Sequence, residues 1–148
     1  MRFLKSFFLT LRERFSKGKT ASAAHTVGAN EILSRYIFST RYFSRHTLRV
    51  KAEAYMPSRG EVSVFRINGL DETAIWDIGC GIAKTRERTL YARGDTKAIE
   101  VRRLGLEILP REPPPCHANI VGWPEGDKPR QKLIALQVAA VASLVLRT

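Results

Sequence analysis

The spacing of hydrophobic residues changes several times along the chain and divides it into predicted elements. Near the N-terminus, apolar residues recur three or four positions apart, as they do on one face of a helix. These residues are Phe3, Leu4, Phe7, Phe8, Leu11 and Phe15. Arg2, Lys5, Arg12 and Arg14 would lie mostly on the other face, and after Lys17 the periodicity is lost. The pattern predicts a basic amphipathic helix and a flexible linker over residues 1–29, followed by one folded domain over residues 30–148.

The first part of this domain is predicted to contain a helix and then a hairpin. Asn30 is a suitable N-cap for a short helix. Its apolar face would hold Ile32, Leu33, Tyr36 and Ile37. Over residues 47–56 the apolar period becomes two, which is typical of a half-buried strand. Residues 57–60 can form a turn, and residues 61–67 then supply the antiparallel partner strand.

The rest of the domain is predicted to alternate helices with short strands. Helices are predicted from Asp71, from Gly94 to Gly105, and from Asp127 through Leu146. Strands are predicted at residues 89–93 and 106–109, with a long proline-rich loop from Pro110 before the last helix. The order predicts an α+β fold, a small single domain with a mixed sheet. That sheet would consist of the N-terminal hairpin plus two short strands, packed by three to four helices.

Composition and charge narrow the function classes. The chain has 148 residues, of which 44% are hydrophobic, and a formal net charge of +11. Global disorder is therefore excluded, as are enzymes that need two domains or a complete barrel. Residues 1–59 carry nine of the eleven net charges. Such asymmetry favours an anionic partner, either nucleic acid or a membrane surface.

Basic and aromatic residues alternate between Arg35 and Arg59. Arginine pairs with phosphate and stacks on bases, and exposed aromatic rings offer further stacking surfaces. The pattern predicts binding of nucleic acid, either RNA or DNA, without catalysis. The predicted contact residues are Arg35, Arg41, Tyr42, Arg45, Arg49, Lys51 and Tyr55. The same pattern also fits core rings flanked by solvated arginines.

A glycine-rich string from Trp76 to Ala83 allows two interpretations. Its sequence, Trp-Asp-Ile-Gly-Cys-Gly-Ile-Ala, resembles the first motif of Rossmann-like S-adenosylmethionine-dependent methyltransferases. The resemblance implies a strand followed by a cofactor-binding loop. Its site residues would be Asp77, Gly79 and Gly81, with Asp95 at the ribose hydroxyls. In the second interpretation, Ile75, Ile78 and Ile82 form the apolar face of a helix that contains the glycines.

A second enzyme hypothesis, a metal-independent nuclease or other hydrolase, places His117 in the proline-rich loop. His117 would act as general base and Asn119 as a hydrogen-bond donor. Arg93 or Arg111 would stabilise developing negative charge. In the structural alternative, His117 and Asn119 only bond the loop backbone. Cys116 and His117 are adjacent and form no spaced pair typical of zinc sites, so no metal is predicted. The preferred prediction, nucleic-acid binding without catalysis, also involves no cofactor.

Two of the predicted helices suggest further partners. The helix over residues 1–17 could lie on an anionic membrane surface, pack on the folded domain or act as an organelle-targeting peptide. The last helix is apolar nearly all round, which predicts either a central core helix or a homo-oligomer interface. Its apolar run, from Leu133 to Leu146, is shorter than the roughly 20 residues of a membrane span. With two cysteines and no recognisable secretory signal, a cytoplasmic location is predicted.

Overall fold

The computed structural model describes residues 26–148, an α+β fold built on one large and one small sheet. The predicted N-terminal helix and its proposed membrane contact lie outside these residues. The strands are β1 (Ile32–Ile37), β2 (Phe43–Ser44), β3 (Arg49–Val50), β4 (Val62–Arg66), β5 (Ala92–Lys97), β6 (Glu107–Pro110), β7 (His117–Val121) and β8 (Ser143–Leu146). The helices are α1 (Glu72–Thr85), α2 (Ala98–Arg102) and α3 (Lys128–Val141), with 3₁₀ turns at Thr40–Tyr42 and Ala52–Tyr55.

Six strands form the large sheet in the order β6-β7-β4-β1-β5-β8, while β2 and β3 pair separately. Each pair of neighbouring strands is antiparallel. The predicted α+β class is therefore confirmed, whereas the prediction of a mixed sheet is wrong.

The predicted helix from Asn30 is also wrong, because residues 32–37 form β1, the strand between β4 and β5. Apolar clusters cover both faces of this strand: Leu33 belongs to one cluster and Tyr36 to the other. A strand buried on both faces lacks a clear period of two, and its apolar positions can then match a helical spacing.

The predicted hairpin between residues 47–56 and 61–67 does not form. Only Arg49 and Val50 of the first segment are in a strand, and residues 52–55 make a 3₁₀ turn. The second segment does contain β4, as predicted, but β4 pairs with β1 and β7. The predicted period of two agrees with the burial of Val50, Ala52 and Ala54. It fails at Leu48, which is 61% exposed, and at Tyr55, which is buried. The predicted pairing is wrong because pairing depends on strands far away in sequence.

The helix caps agree best with the predictions. Asp71 accepts a hydrogen bond from the Ala74 amide at 2.7 Å, and Asp127 accepts one from the Arg130 amide at 3.1 Å. The start of α2 and the end of α3 differ from the predictions. Gly94 lies in β5, so α2 begins only at Ala98, and α3 ends at Val141 because residues 143–146 form β8.

The large sheet separates two apolar clusters. On one face, Leu33 and Val64 belong to a cluster that includes Val138 of α3. On the other face, Tyr36 and Phe65 pack with Ile75 and Ile78 of α1. The positions that contribute side chains to each face follow from the strand alternation. On the face covered by α1, residues of β1, β4 and β7 line a cavity beside the last turn of this helix.

The outer surface of α3 remains apolar and exposed. Leu133 is 57% exposed, Leu136 55% and Val141 47%. The prediction of a homo-oligomer through this helix needs such a surface and stays a prediction.

Candidate functional site

The first candidate site is the basic hairpin, residues 41–51, which contains β2, β3 and the four-residue turn between them. Phe43 pairs with Val50, and both side chains are buried, which fixes the hairpin to the core. The predicted contact residues Arg41, Arg45, Arg49 and Lys51 are all exposed. The guanidinium of Arg45 lies 5.5 Å from the Phe43 ring centroid. No carboxylate among residues 26–148 forms an ion pair with these four cations.

Of the three other predicted contact residues, Tyr42 lies in the hairpin, whereas Arg35 and Tyr55 lie outside it. Tyr55 is 1% exposed, and its hydroxyl lies 3.2 Å from the Thr96 hydroxyl. A stacking role for Tyr55 is therefore wrong, because its ring is inside the core. Tyr42 is half-buried against the same core cluster. Arg35 points away from the hairpin surface, into the cavity described below.

The glycine-rich string lies inside α1, so the strand and loop that the methyltransferase resemblance implies are absent from this segment. Gly79 has a packing role: a Cβ there would lie 2.6 Å from Cδ1 of Tyr36 and 2.8 Å from Cδ2 of Leu90. The Tyr36 hydroxyl donates a hydrogen bond to the Ile75 carbonyl, one helical turn earlier. The helix interpretation of this string is the correct one.

Asp95 belongs to a buried ionic cluster that joins α1 to the sheet. Arg93, 3% exposed, donates two hydrogen bonds to the Glu72 carboxylate, at 2.9 and 3.0 Å, and one from Nε to Asp95. Its guanidinium also lies 4.6 Å from the Trp76 ring centroid. The Ser34 hydroxyl donates to Asp95 at 2.8 Å. These contacts hold Arg93 and Asp95 in the cluster and bring neither residue beside His117 or to a glycine-rich loop.

The second candidate site is a cavity of about 240 Å³ between the sheet and the last turn of α1. Its polar lining comes from Arg35, Ser63, Thr85, Arg86 and His117. Its apolar lining includes Phe38, Phe65, Ile82 and Pro114. Within the described part of the chain, no aspartate or glutamate lines it.

His117 and Ser63 form a hydrogen-bonded pair in this cavity. His117 lies in β7, not in the predicted loop, and stands opposite Phe65 of β4. Ser63 and Phe65 are two residues apart, so both share the face of His117. The His117 Nδ1 lies 2.8 Å from the Arg111 carbonyl, and Nε2 lies 2.6 Å from the Ser63 hydroxyl.

The neighbours of His117 define its protonation. A carbonyl only accepts, so Nδ1 carries the proton and Nε2 accepts from the Ser63 hydroxyl. Burial, and to a smaller extent the charge of Arg86, lower the pKa of His117 below its usual value. The ring is therefore neutral at pH 7, with its basic nitrogen directed at a hydroxyl. Asn119, the predicted donor, instead donates to the Glu61 carboxylate at 3.0 Å.

Arg35 fills the place where β1 and β4 stop pairing. Backbone pairing between these strands includes Leu33 and Ser34 but not Arg35. The Arg35 guanidinium donates from Nε to the Ala54 carbonyl and from Nη1 to the Ser63 carbonyl, both at 2.9 Å. Burial is the main cause that lowers the pKa of Arg35, with a further contribution from Arg86.

Neither Ser63 nor Arg86 belongs to the sequence-based predictions. A sequence signal for Ser63 existed, since it shares one face of a predicted strand with Phe65. The pairing of Ser63 with His117 was not predicted, because residues 117–121 were predicted to lie in a loop.

The comparisons with known proteins add no functional information. Neither the protein-family models nor the curated proteins nor the solved structures give a match to this chain. Within the described range, none of the helices has the length and apolar character needed to cross a bilayer. Residues 26–148 also contain no group of three His, Cys, Asp or Glu side chains placed to hold a metal ion.

Proposed function

We propose that the protein binds nucleic acid through phosphate contacts on the basic hairpin. The observation that carries this proposal is the exposure of Arg41, Arg45, Arg49 and Lys51 on one short hairpin, where they have no carboxylate partner among the described residues. Guanidinium groups pair with phosphate oxygens in two parallel hydrogen bonds, and each phosphate contact releases counterions. Tyr42, half-buried beside this surface, is the remaining candidate for a ring that contacts a base.

Replacing Arg45 and Arg49 together by glutamine should weaken binding to every sequence tested. Each lost phosphate contact should lower the slope of log K against log salt by about 0.7 for a single strand and 0.9 for a duplex. The measurement is fluorescence anisotropy with a labelled single-stranded RNA and a labelled duplex DNA at two salt concentrations. A single-stranded DNA of the same sequence as the RNA is the third probe, because it separates a preference for RNA over DNA from a preference for single strands over duplex.

The matched control is the double variant Lys97→Gln/Arg130→Gln. Both residues are exposed, lie outside the basic hairpin and form no ion pair with any of residues 26–148. Each double variant removes two positive charges, so the change in net charge is the same. Equal losses in the two double variants would mean that only net charge matters. An unchanged affinity and salt slope in the hairpin variant would place any binding on another surface. Either outcome contradicts the proposal.

The Ser63–His117 pair favours a second candidate function, hydrolysis. We propose that Ser63 acts as a nucleophile whose proton passes to Nε2 of His117 as Oγ attacks an ester carbonyl carbon. The bond to the alcohol then breaks, and the alcohol takes the proton from His117. Water hydrolyses the resulting acyl-Ser63 by the reverse proton transfers. Arg111 supplies a backbone carbonyl that orients the imidazole, rather than a charge.

A sulfonyl fluoride reagent should label Ser63, with loss of fluoride, and intact-mass spectrometry should show one adduct. The Ser63→Ala variant should give none, and His117→Gln should slow labelling at least tenfold because the general base is lost. Since the pKa of His117 is lowered, the labelling rate should stay level around neutral pH and fall only in acid, where Nε2 becomes protonated. Ser58→Ala, at an exposed position, is the control. Labelling of Ser63 that is insensitive to His117→Gln would contradict the second candidate.

A further inference from the structure

The cavity contains a positive charge for which the described chain offers no counterion. Arg35 is held by two backbone carbonyls and forms no ion pair with any of residues 26–148. Buried charges in proteins are normally paired, since an unpaired one costs several kcal/mol in lost hydration. A guanidinium has five N–H donors, and the two carbonyls use two of them. The remaining three have no hydrogen-bond partner among residues 26–148.

A second cation, Arg86, lies beside the first. Its side chain lines the cavity and makes no hydrogen bond or ion pair with the described residues. Its charge acts on both Arg35 and His117, lowering the pKa of each. Two guanidinium groups that repel each other across a space without carboxylates are stabilised when an anion enters between them.

The opposite lining of the cavity is apolar. Phe38, Phe65, Ile82 and Pro114 present carbon surfaces, and the Phe65 ring lies 5.5 Å from the Tyr36 ring, centroid to centroid. The volume of about 240 Å³ is just below the range of roughly 300–1,000 Å³ that holds drug-sized ligands. The cavity therefore suits a small molecule with an apolar body and one charged end.

We propose that this cavity is a binding site for a small anionic ligand in which a phosphate, phosphonate or carboxylate group is attached to a flat apolar body. Arg35 and Arg86 bind the anionic group, and the Ser63 hydroxyl lies beside it. The apolar body packs between Phe38, Phe65 and Ile82. This site is separate from the basic hairpin and does not rest on nucleic-acid binding. It names the ligand class for the second candidate function, but binding does not require that hydrolysis occurs.

The test uses the full chain and four probes in isothermal titration calorimetry: phenylphosphonate, benzoate, inorganic phosphate and benzyl alcohol. Phenylphosphonate is not an ester, so hydrolysis cannot consume it. We expect one aromatic anion to bind at least tenfold more tightly than inorganic phosphate, and benzyl alcohol not to bind at millimolar concentration. The comparison of phenylphosphonate with benzoate decides which anionic group the cavity prefers.

Three variants locate the site. Arg86→Gln should weaken binding of the preferred probe about tenfold, as expected for loss of a charged hydrogen-bond donor. Arg88→Gln is the matched control, because Arg88 is also exposed, two residues further on and outside the cavity. The hairpin variant Arg45→Gln/Arg49→Gln should bind the probe as the natural protein does, even if nucleic-acid binding fails. Arg86 is preferred to Arg35 for this test because its exposed side chain contributes nothing visible to the fold.

Four results would overturn the proposal. They are no binding of either aromatic anion at millimolar concentration, equal binding of benzyl alcohol, equal losses in Arg86→Gln and Arg88→Gln, and loss of probe binding in the hairpin variant.

Discussion

Replacing Arg93 by methionine should lower the free energy of unfolding by about 3–5 kcal/mol, as expected when one partner of a buried ion pair is removed. Methionine is an unbranched side chain of similar length without the charge, so the cation–π contact with Trp76 is lost as well. The variant leaves the Asp95 carboxylate without its cation, and the Asp95 side chain is only 15% exposed. Glu72 is 68% exposed and is hydrated when released, so the loss should come mainly from Asp95. Urea denaturation at pH 7 measures the effect.

The loss in free energy of unfolding caused by Arg93→Met should depend on pH. Burial raises the pKa of Asp95, and the charge of Arg93 is the largest opposing influence. In the variant the pKa of Asp95 therefore rises further. A carboxyl whose pKa is raised in the folded state favours folding when protonated, and this contribution is lost as pH rises through the folded-state pKa. The difference between natural protein and variant should be greatest at neutral pH and shrink as the solution is acidified.

The double variant Arg93→Met/Asp95→Asn is the control. It removes the buried charge together with its partner, so it should be more stable at pH 7 than Arg93→Met alone. Its stability difference from the natural protein should not shrink in acid to the same degree. A loss in free energy of unfolding of less than about 1 kcal/mol in Arg93→Met, or an equal loss at pH 4 and pH 7, would contradict the prediction. The Arg93–Asp95 pair would then not stabilise the fold by neutralising a buried carboxylate.

The second large effect is expected from Gly79→Val. A Cβ at residue 79 already falls 2.6 Å from the Tyr36 ring, and valine adds two more carbons. Either the Tyr36 ring or α1 must move, and the hydrogen bond from Tyr36 to the Ile75 carbonyl links the two. Overpacking of this kind costs about 1–3 kcal/mol, and we expect the upper end.

Gly28→Val is the matched control, measured in the same urea titrations. A Cβ at Gly28 meets nothing closer than 3.6 Å, at the Glu31 carboxylate, and the position is exposed. Its effect should stay within about 0.5 kcal/mol, as for most surface substitutions. Equal effects of the two substitutions would show that Gly79 is not required for the close approach of α1 to Tyr36.

The sequence predicted those features that depend on neighbours a few residues away. The caps at Asp71 and Asp127 are of this kind, since side chain and amide are three residues apart. The isoleucine face of α1 is another, because a period of 3.6 is visible within 14 residues. The exposure of four predicted contact residues could also be predicted, because charged side chains are rarely buried without a partner. These residues are Arg41, Arg45, Arg49 and Lys51.

What the sequence did not show depends on partners distant in sequence. Residues 32–37 and 117–121 were assigned to the wrong element because a strand covered on both faces, or preceded by prolines, carries no clear alternation. The Ser63–His117 pair joins residues 54 positions apart and exists only because β4 lies beside β7. The buried position of Tyr55 depends likewise on β5, about 40 residues later.

The position of β1 between β4 and β5 has a consequence for the rate of folding. This strand is the first in the described chain, yet β5 follows it by more than 50 residues, and β5 in turn pairs with β8 near the C-terminus. Loops of that length must close before the sheet can form, and domains with such distant pairings fold in milliseconds to seconds rather than microseconds. During synthesis on the ribosome, β1 has neither of its neighbours until β4 has emerged. Residues 32–37 therefore stay unpaired for the longest time, and a chaperone that binds apolar segments would bind there.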